Sequence, residues 1–123
     1  MTTRSTKLKV ESLDGRIVPS AVAYGDINHD GLTDKAAITA NRTVTVSLAN
    51  PNGTYTVSAV LTASNGPTFE NIGLGDYNAD GNLDVGVSAS NSGWIYSNSW
   101  LGNGDGTFGA MSTTRFKIPK NFI

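Results

Sequence analysis

The 123-residue chain is predicted to be all-β, built as two four-stranded antiparallel units. Three observations carry that expectation. Gly, Ser, Thr and Asn are plentiful and only 15% of residues are charged, a turn-rich and β-leaning usage. Apolar and polar residues alternate over short runs, and no stretch shows a 3.6-residue apolar period. The chain also repeats itself. Residues 25–34 read GDINHDGLTD and residues 75–84 read GDYNADGNLD, while SLANPNGTYT (47–56) aligns with WLGNGDGTFG (100–109). The first pair is offset by 50 residues and the second by 53, so the second copy carries three extra residues. The expected place for them is the SNSGW run (90–94), ahead of its third strand.

Each unit reads in the same order. A short strand (20–26; 70–76) enters an acidic loop, and a second leaves it (35–40; 84–90). A third strand follows with period-2 alternation (43–49; 94–101). A tight turn holds Asn52-Gly53 in one copy and Asp105-Gly106 in the other, dipeptides favoured in hairpins because Gly accepts positive φ without steric cost. A fourth strand closes the unit (54–63; 107–118). The chain therefore divides into an amino-terminal segment, 1–19, and two repeats, 20–65 and 66–123.

Six of the ten acids lie in the two loops: Asp26, Asp30 and Asp34, then Asp76, Asp80 and Asp84. The pattern Asp-x-Asn-x-Asp-Gly-x-x-Asp offers hard oxygen ligands at alternate positions of a coiled segment. Asp26, Asn28, Asp30 and Asp34 are the expected side-chain ligands of the first loop, and Leu32 would present its carbonyl. Asp76, Asn78, Asp80 and Asp84 are their counterparts, with the carbonyl from Asn82. Oxygen-only ligation suits Ca2+ better than Mg2+, which demands a strict octahedron. With no cysteine, disulfides are excluded, and with one histidine besides, zinc is implausible. Asp, Asn and Gly also favour plain turns. Three carboxylates on one loop, however, repel one another unless a cation lies between them. Two divalent ions would also reverse the sign of the formal charge of −1. An EF-hand is a poor fit: its twelfth position needs a bidentate Glu, here Ala37 or Val87, and its flanks must be helical.

With a strand on each side of the loop and LGNGDGTF downstream, residues 20–118 resemble the FG-GAP/VCBS family of calcium-binding β-propeller repeats. The resemblance implies that each repeat is one propeller-like blade, with the calcium loop joining its first two strands. It also implies a structural metal in each repeat, held by the residues named above. The phenylalanine-glycine and Gly-Ala-Pro elements are only echoed, in TFGA and NGPTF, so the repeats are closer to the VCBS type. Closed propellers typically have four to eight blades. Two leave edges open to pairing with another chain. The expectation is therefore a homo-oligomer that completes a ring, or neighbouring blades on another polypeptide. A monomeric two-sheet sandwich with one core is the alternative.

LKVESLDGRIVPSA (8–21) resembles the amino-terminal segments of predicted exported proteins of planctomycete-type bacteria, a hint of export. The same run also reads as an edge strand ending at Asp14-Gly15. Calcium-binding repeats of this kind point to an extracellular or cell-surface location, where calcium is millimolar. No apolar run is long enough to span a membrane. Basic residues gather only at the two ends, without a nucleic-acid motif. His29 is expected to face solvent, since its counterpart is Ala79, and Trp94, Tyr96 and Trp100 are expected to pack in the core or between blades. No nucleophile-base pair is evident, and Gly-Asn-Gly joins strands instead of opening a helix, which argues against a phosphate cradle. The functional expectation is a non-enzymatic calcium-binding module for adhesion or protein interaction. A duplicated blade pair with a purely structural role in a larger propeller is the alternative, and an enzyme accessory domain is a third.

Overall fold

The computed structural model describes residues 21–118. They form eight strands and no helix: β1 (Val22–Gly25), β2 (Asp34–Ala40), β3 (Thr43–Ala49), β4 (Tyr55–Thr62), β5 (Asn71–Gly75), β6 (Asp84–Asn91), β7 (Trp94–Gly102) and β8 (Phe108–Lys117). The strands make two antiparallel meanders, β1-β2-β3-β4 and β5-β6-β7-β8, in sequence order. Each sheet is one propeller-like blade, as the repeat implied. Both readings of the segment before Val22, export motif and edge strand, lie outside the described residues.

The three extra residues of the second copy fall at the place the sequence suggested, between Ser90 and Tyr96, but in paired strand and not ahead of the third strand. The connection between second and third strands has two residues in both blades, Asn41-Arg42 and Ser92-Gly93. The insertion lengthens the hairpin arms: β6 has eight residues against seven in β2, and β7 nine against seven in β3. Extending an antiparallel ladder adds paired amides, whereas a longer turn would add unpaired ones. Ser92 and Gly93 both have positive φ, 54° and 83°, the backbone of a tight two-residue hairpin.

One core lies between the sheets. Ile27, Ala36, Val44 and Val46 from the first blade meet Val85, Val87 and Trp100 from the second, with Leu61, Ala63 and Phe69 closing the cluster. Phe69 stands edge-on to Trp100, ring centroids 6.2 Å apart at 71°. Its N–H donates to the Asn41 carbonyl at 2.7 Å, tying the inter-blade connection to the first blade. Trp100 thus takes the core position expected of it. Trp94 is half-buried, with the Arg115 guanidinium 4.9 Å from its ring centre, and Tyr96 is also half-buried.

The two blades bury opposite faces. In β2 the buried residues are Asp34 and Ala36, whereas in β6 they include Val85, Val87 and Ala89, which stand fifty residues after Lys35, Ala37 and Thr39. The cross-strand pairs agree: Ala36 faces Val46 in the first blade, and Val85 faces Trp100 in the second. Trp100 is the counterpart of Ser47, not of Val46. The blades are therefore stacked like successive repeats, one face against the opposite face of the next. A bulge in the β3–β4 ladder, between Val46 and Ser47, lets Ala59 turn inward and Val57 outward.

Candidate metal centre

Each acidic loop is coiled by its own carboxylates. Asp26 accepts the N–H groups of Asp30 (3.1 Å) and Gly31 (2.8 Å), and Asp30 accepts that of Leu32 (2.9 Å). The second loop repeats the pattern. Asp76 accepts Asp80 N–H at 3.1 Å and Gly81 N–H at 2.8 Å, and Asp80 accepts Asn82 N–H at 2.9 Å. Such tight winding needs left-handed backbone at two positions per loop. His29 and Gly31 have φ of 61° and 86°, and Ala79 and Gly81 have 60° and 88°. The Asn82 N–H, followed by the amides of Asn78 and Asn82, holds the Asp80 carboxyl below its usual range.

One carboxylate oxygen from each of Asp26, Asp30 and Asp34 can be chosen so that all lie within 4.8 Å of one another. Among the described residues no other trio of His, Cys, Asp or Glu side chains is so close, so the three acids of the second loop stand further apart despite their matching hydrogen bonds. The asparagines add a second observation. Asn28 Oδ1 is buried and meets no hydrogen-bond donor. At Asn78, the amide oxygen faces only acceptors, 3.1 Å from Asp76 Oδ1 and 3.0 Å from Asp80 Oδ1. Turning the amide would make two hydrogen bonds; a cation among the three oxygens would satisfy them without turning it. These all-oxygen donor sets fit a calcium ion.

Asp34 and Asp84 have a task the spacing did not disclose. Both are fully buried. Asp34 Oδ2 accepts Ile27 N–H at 2.8 Å and Oδ1 accepts Ala49 N–H at 2.7 Å. Asp84 does the same with Tyr77 N–H and Gly102 N–H, both at 2.8 Å. The last acid of each loop thus pins the loop to the end of the third strand. His29 is exposed, as expected, but not idle: its Nε2 lies 3.1 Å from Asn82 Oδ1, so the two loops touch. Burial, with the charge of Asp84 as a smaller cause, raises the Tyr77 phenol above its ordinary value.

An all-β pair of repeats, each with an acidic loop between its first two strands, is a repeat protein of propeller-blade type. The FG-GAP-like repeat family matches residues 26–87, half of the chain, from the first acid of one loop past the last acid of the other. The chain belongs to that family. No curated protein and no solved structure matches it. No helix among the described residues is long and apolar enough to cross a membrane.

Proposed function

We propose that the chain is a calcium-braced, non-enzymatic interaction module of VCBS-like character, working outside the cell or at its surface in adhesion or protein binding. The observation that carries this reading is the set of converging loop oxygens, above all the buried and donorless Asn28 Oδ1 beside three carboxylates. Calcium would be held by Asp26, Asn28, Asp30, Asp34 and the Leu32 carbonyl in the first repeat. In the second, Asp76, Asn78, Asp80, Asp84 and the Asn82 carbonyl would hold it. Loops that relax into repelling carboxylates without an ion would need the millimolar calcium of extracellular fluid.

The test is thermal unfolding after dialysis against EDTA, then with calcium or magnesium restored. A hundredfold excess over Kd at one site stabilises by about 2.7 kcal/mol. For a domain of this size that raises Tm by roughly 10–20 °C. Calcium should restore the loss and magnesium should not; a melting curve indifferent to EDTA overturns the calcium reading. A second reading, a blade pair that forms part of an oligomeric propeller, draws support from the apolar side chains left on the two outward faces.

A further inference from the structure

Because the blades bury opposite faces, the described residues display one face of each kind on the outside. The outward face of the first blade bears Val22, Tyr24, Tyr55, Val57 and Val60 around Lys35, whose ammonium lies 4.3 Å from the Tyr55 ring centre. The outward face of the second blade bears Tyr77, Ile95, Leu101 and Phe116 around a floor of small residues. Every exposed large apolar side chain among the described residues, except Met111, lies on one of these two faces. Scattered exposed apolar residues need no explanation, but segregation onto two faces does.

The two free faces are the same pair that meets inside the chain. In the intramolecular stack, Leu74 of the second blade reaches over Gly25 of the first, beside buried Ile27. The counterparts of these residues on the free faces are Tyr24, Gly75 and Tyr77. At the same end of the strands but further across the sheets, Gly106 of the second blade packs on Leu48 of the first. Their counterparts are Gly53 and Leu101, and both are exposed. A groove of about 420 Å3 lies on the second blade's outward face, over Gly73 and Gly86 and beside Tyr77 and Ser99. It provides room for side chains of a facing sheet. The centre differs from the intramolecular interface: Val44 and Val46 become Ser97 and Ser99, so this contact is more polar and weaker than the internal one.

We infer that a second copy of this chain docks head-to-tail, its second blade's outward face covering the first blade's outward face through Val22, Tyr24 and Val57 against Tyr77 and Leu101. The inference rests on reading the chain as an interaction module and names its partner. Such a contact is heterologous: each copy uses one face and leaves the other for the next, so copies add in line until a ring closes.

The experiment is light scattering coupled to size-exclusion chromatography on the full chain in calcium, over a range of concentrations. The wild type should elute as two or more chains. Val57→Arg blocks one face and Leu101→Arg the other, so each variant alone should run as a single chain that still unfolds cooperatively, its melting temperature no longer rising with protein concentration. An equimolar mixture of the two should give a dimer and nothing larger, because one intact face of each kind remains. If Leu101→Arg fails to fold, Ser99→Lys takes its place. A monomeric wild type, or a mixture that stays monomeric, overturns the inference. The calcium dependence of the wild-type melting curve is read separately, so a calcium-stabilised monomer would refute the stacking and leave the calcium reading intact.

Discussion

Asp34 and Asp30 stand four residues apart in one loop, yet their surroundings assign them different work. Asp30 is exposed and accepts the Leu32 N–H and the Asn28 side-chain amide, both within the loop. Asp34 is fully buried and accepts the amides of Ile27 and Ala49, tying the loop to the third strand. Removing a buried acceptor strands its donors at about 1–3 kcal/mol each. Asp34→Ala should therefore lower metal-free stability by about 2–5 kcal/mol in urea unfolding with EDTA present. Asp30→Ala should cost less than about 1 kcal/mol there, since water can replace an exposed acceptor. In calcium the order of interest changes: Asp30→Ala should lose most of the stabilisation that calcium confers on the first loop. Equal metal-free losses in the two variants would show that the buried hydrogen bonds of Asp34 do not matter.

At the scale of the element, the turns between third and fourth strands make a matched pair. Gly53 and Gly106 occupy the same place in the repeat, with φ of 89° and 96°. A Cβ on Gly53 would meet nothing within 4 Å, whereas on Gly106 it would meet Leu48 Cδ1 at 2.9 Å and Ser58 Cβ at 3.1 Å. Both Gly→Ala changes incur the left-handed backbone cost of about 1–2 kcal/mol. Gly106→Ala adds crowding worth about 1–3 kcal/mol. Gly106→Ala should thus be the more destabilising in dilute solution by at least about 1 kcal/mol; equal effects would mean that the turn of the second blade does not press on the first. Asn-Gly and Asp-Gly announced both turns, and the strands around them were legible because hairpin chemistry and period-2 alternation are local. In the third strands the alternation already pointed to the inward face: Val44 and Val46 share one face of TVTVSLA and are buried, whereas their counterparts are Ser97 and Ser99, and Trp100 is buried on the other face. That these opposite faces meet each other is decided by the neighbouring sheet. The acidic loops were legible from spacing, but the amides that Asp34 and Asp84 accept lie as far as 15 and 18 residues away, and the His29–Asn82 contact spans 53. No local pattern encodes such distances.

Across the whole molecule, stability depends on the two blades sharing one core. Two four-stranded sheets of this size have too little apolar surface to stand alone, and the buried cluster draws on both. Trp100 is the largest side chain in that cluster and stands against Phe69, which is hydrogen-bonded to the first blade through Asn41. Trp100→Ala should cost about 3–5 kcal/mol, a large share of the 5–15 kcal/mol typical of a folded domain. The loss should also be felt equally in both blades. Native-state hydrogen exchange can separate them, because the amides of β2 and β6 report on different sheets. If the blades unfold as one unit, Trp100→Ala lowers protection in β2 by the same free energy as in β6, although the substituted side chain belongs to the second blade alone. Protection that falls in β6 while β2 keeps its own would mean the first blade is independently stable. In that event the interface between the blades would be a docking contact, comparable to the one inferred between copies, and not the centre of a common core.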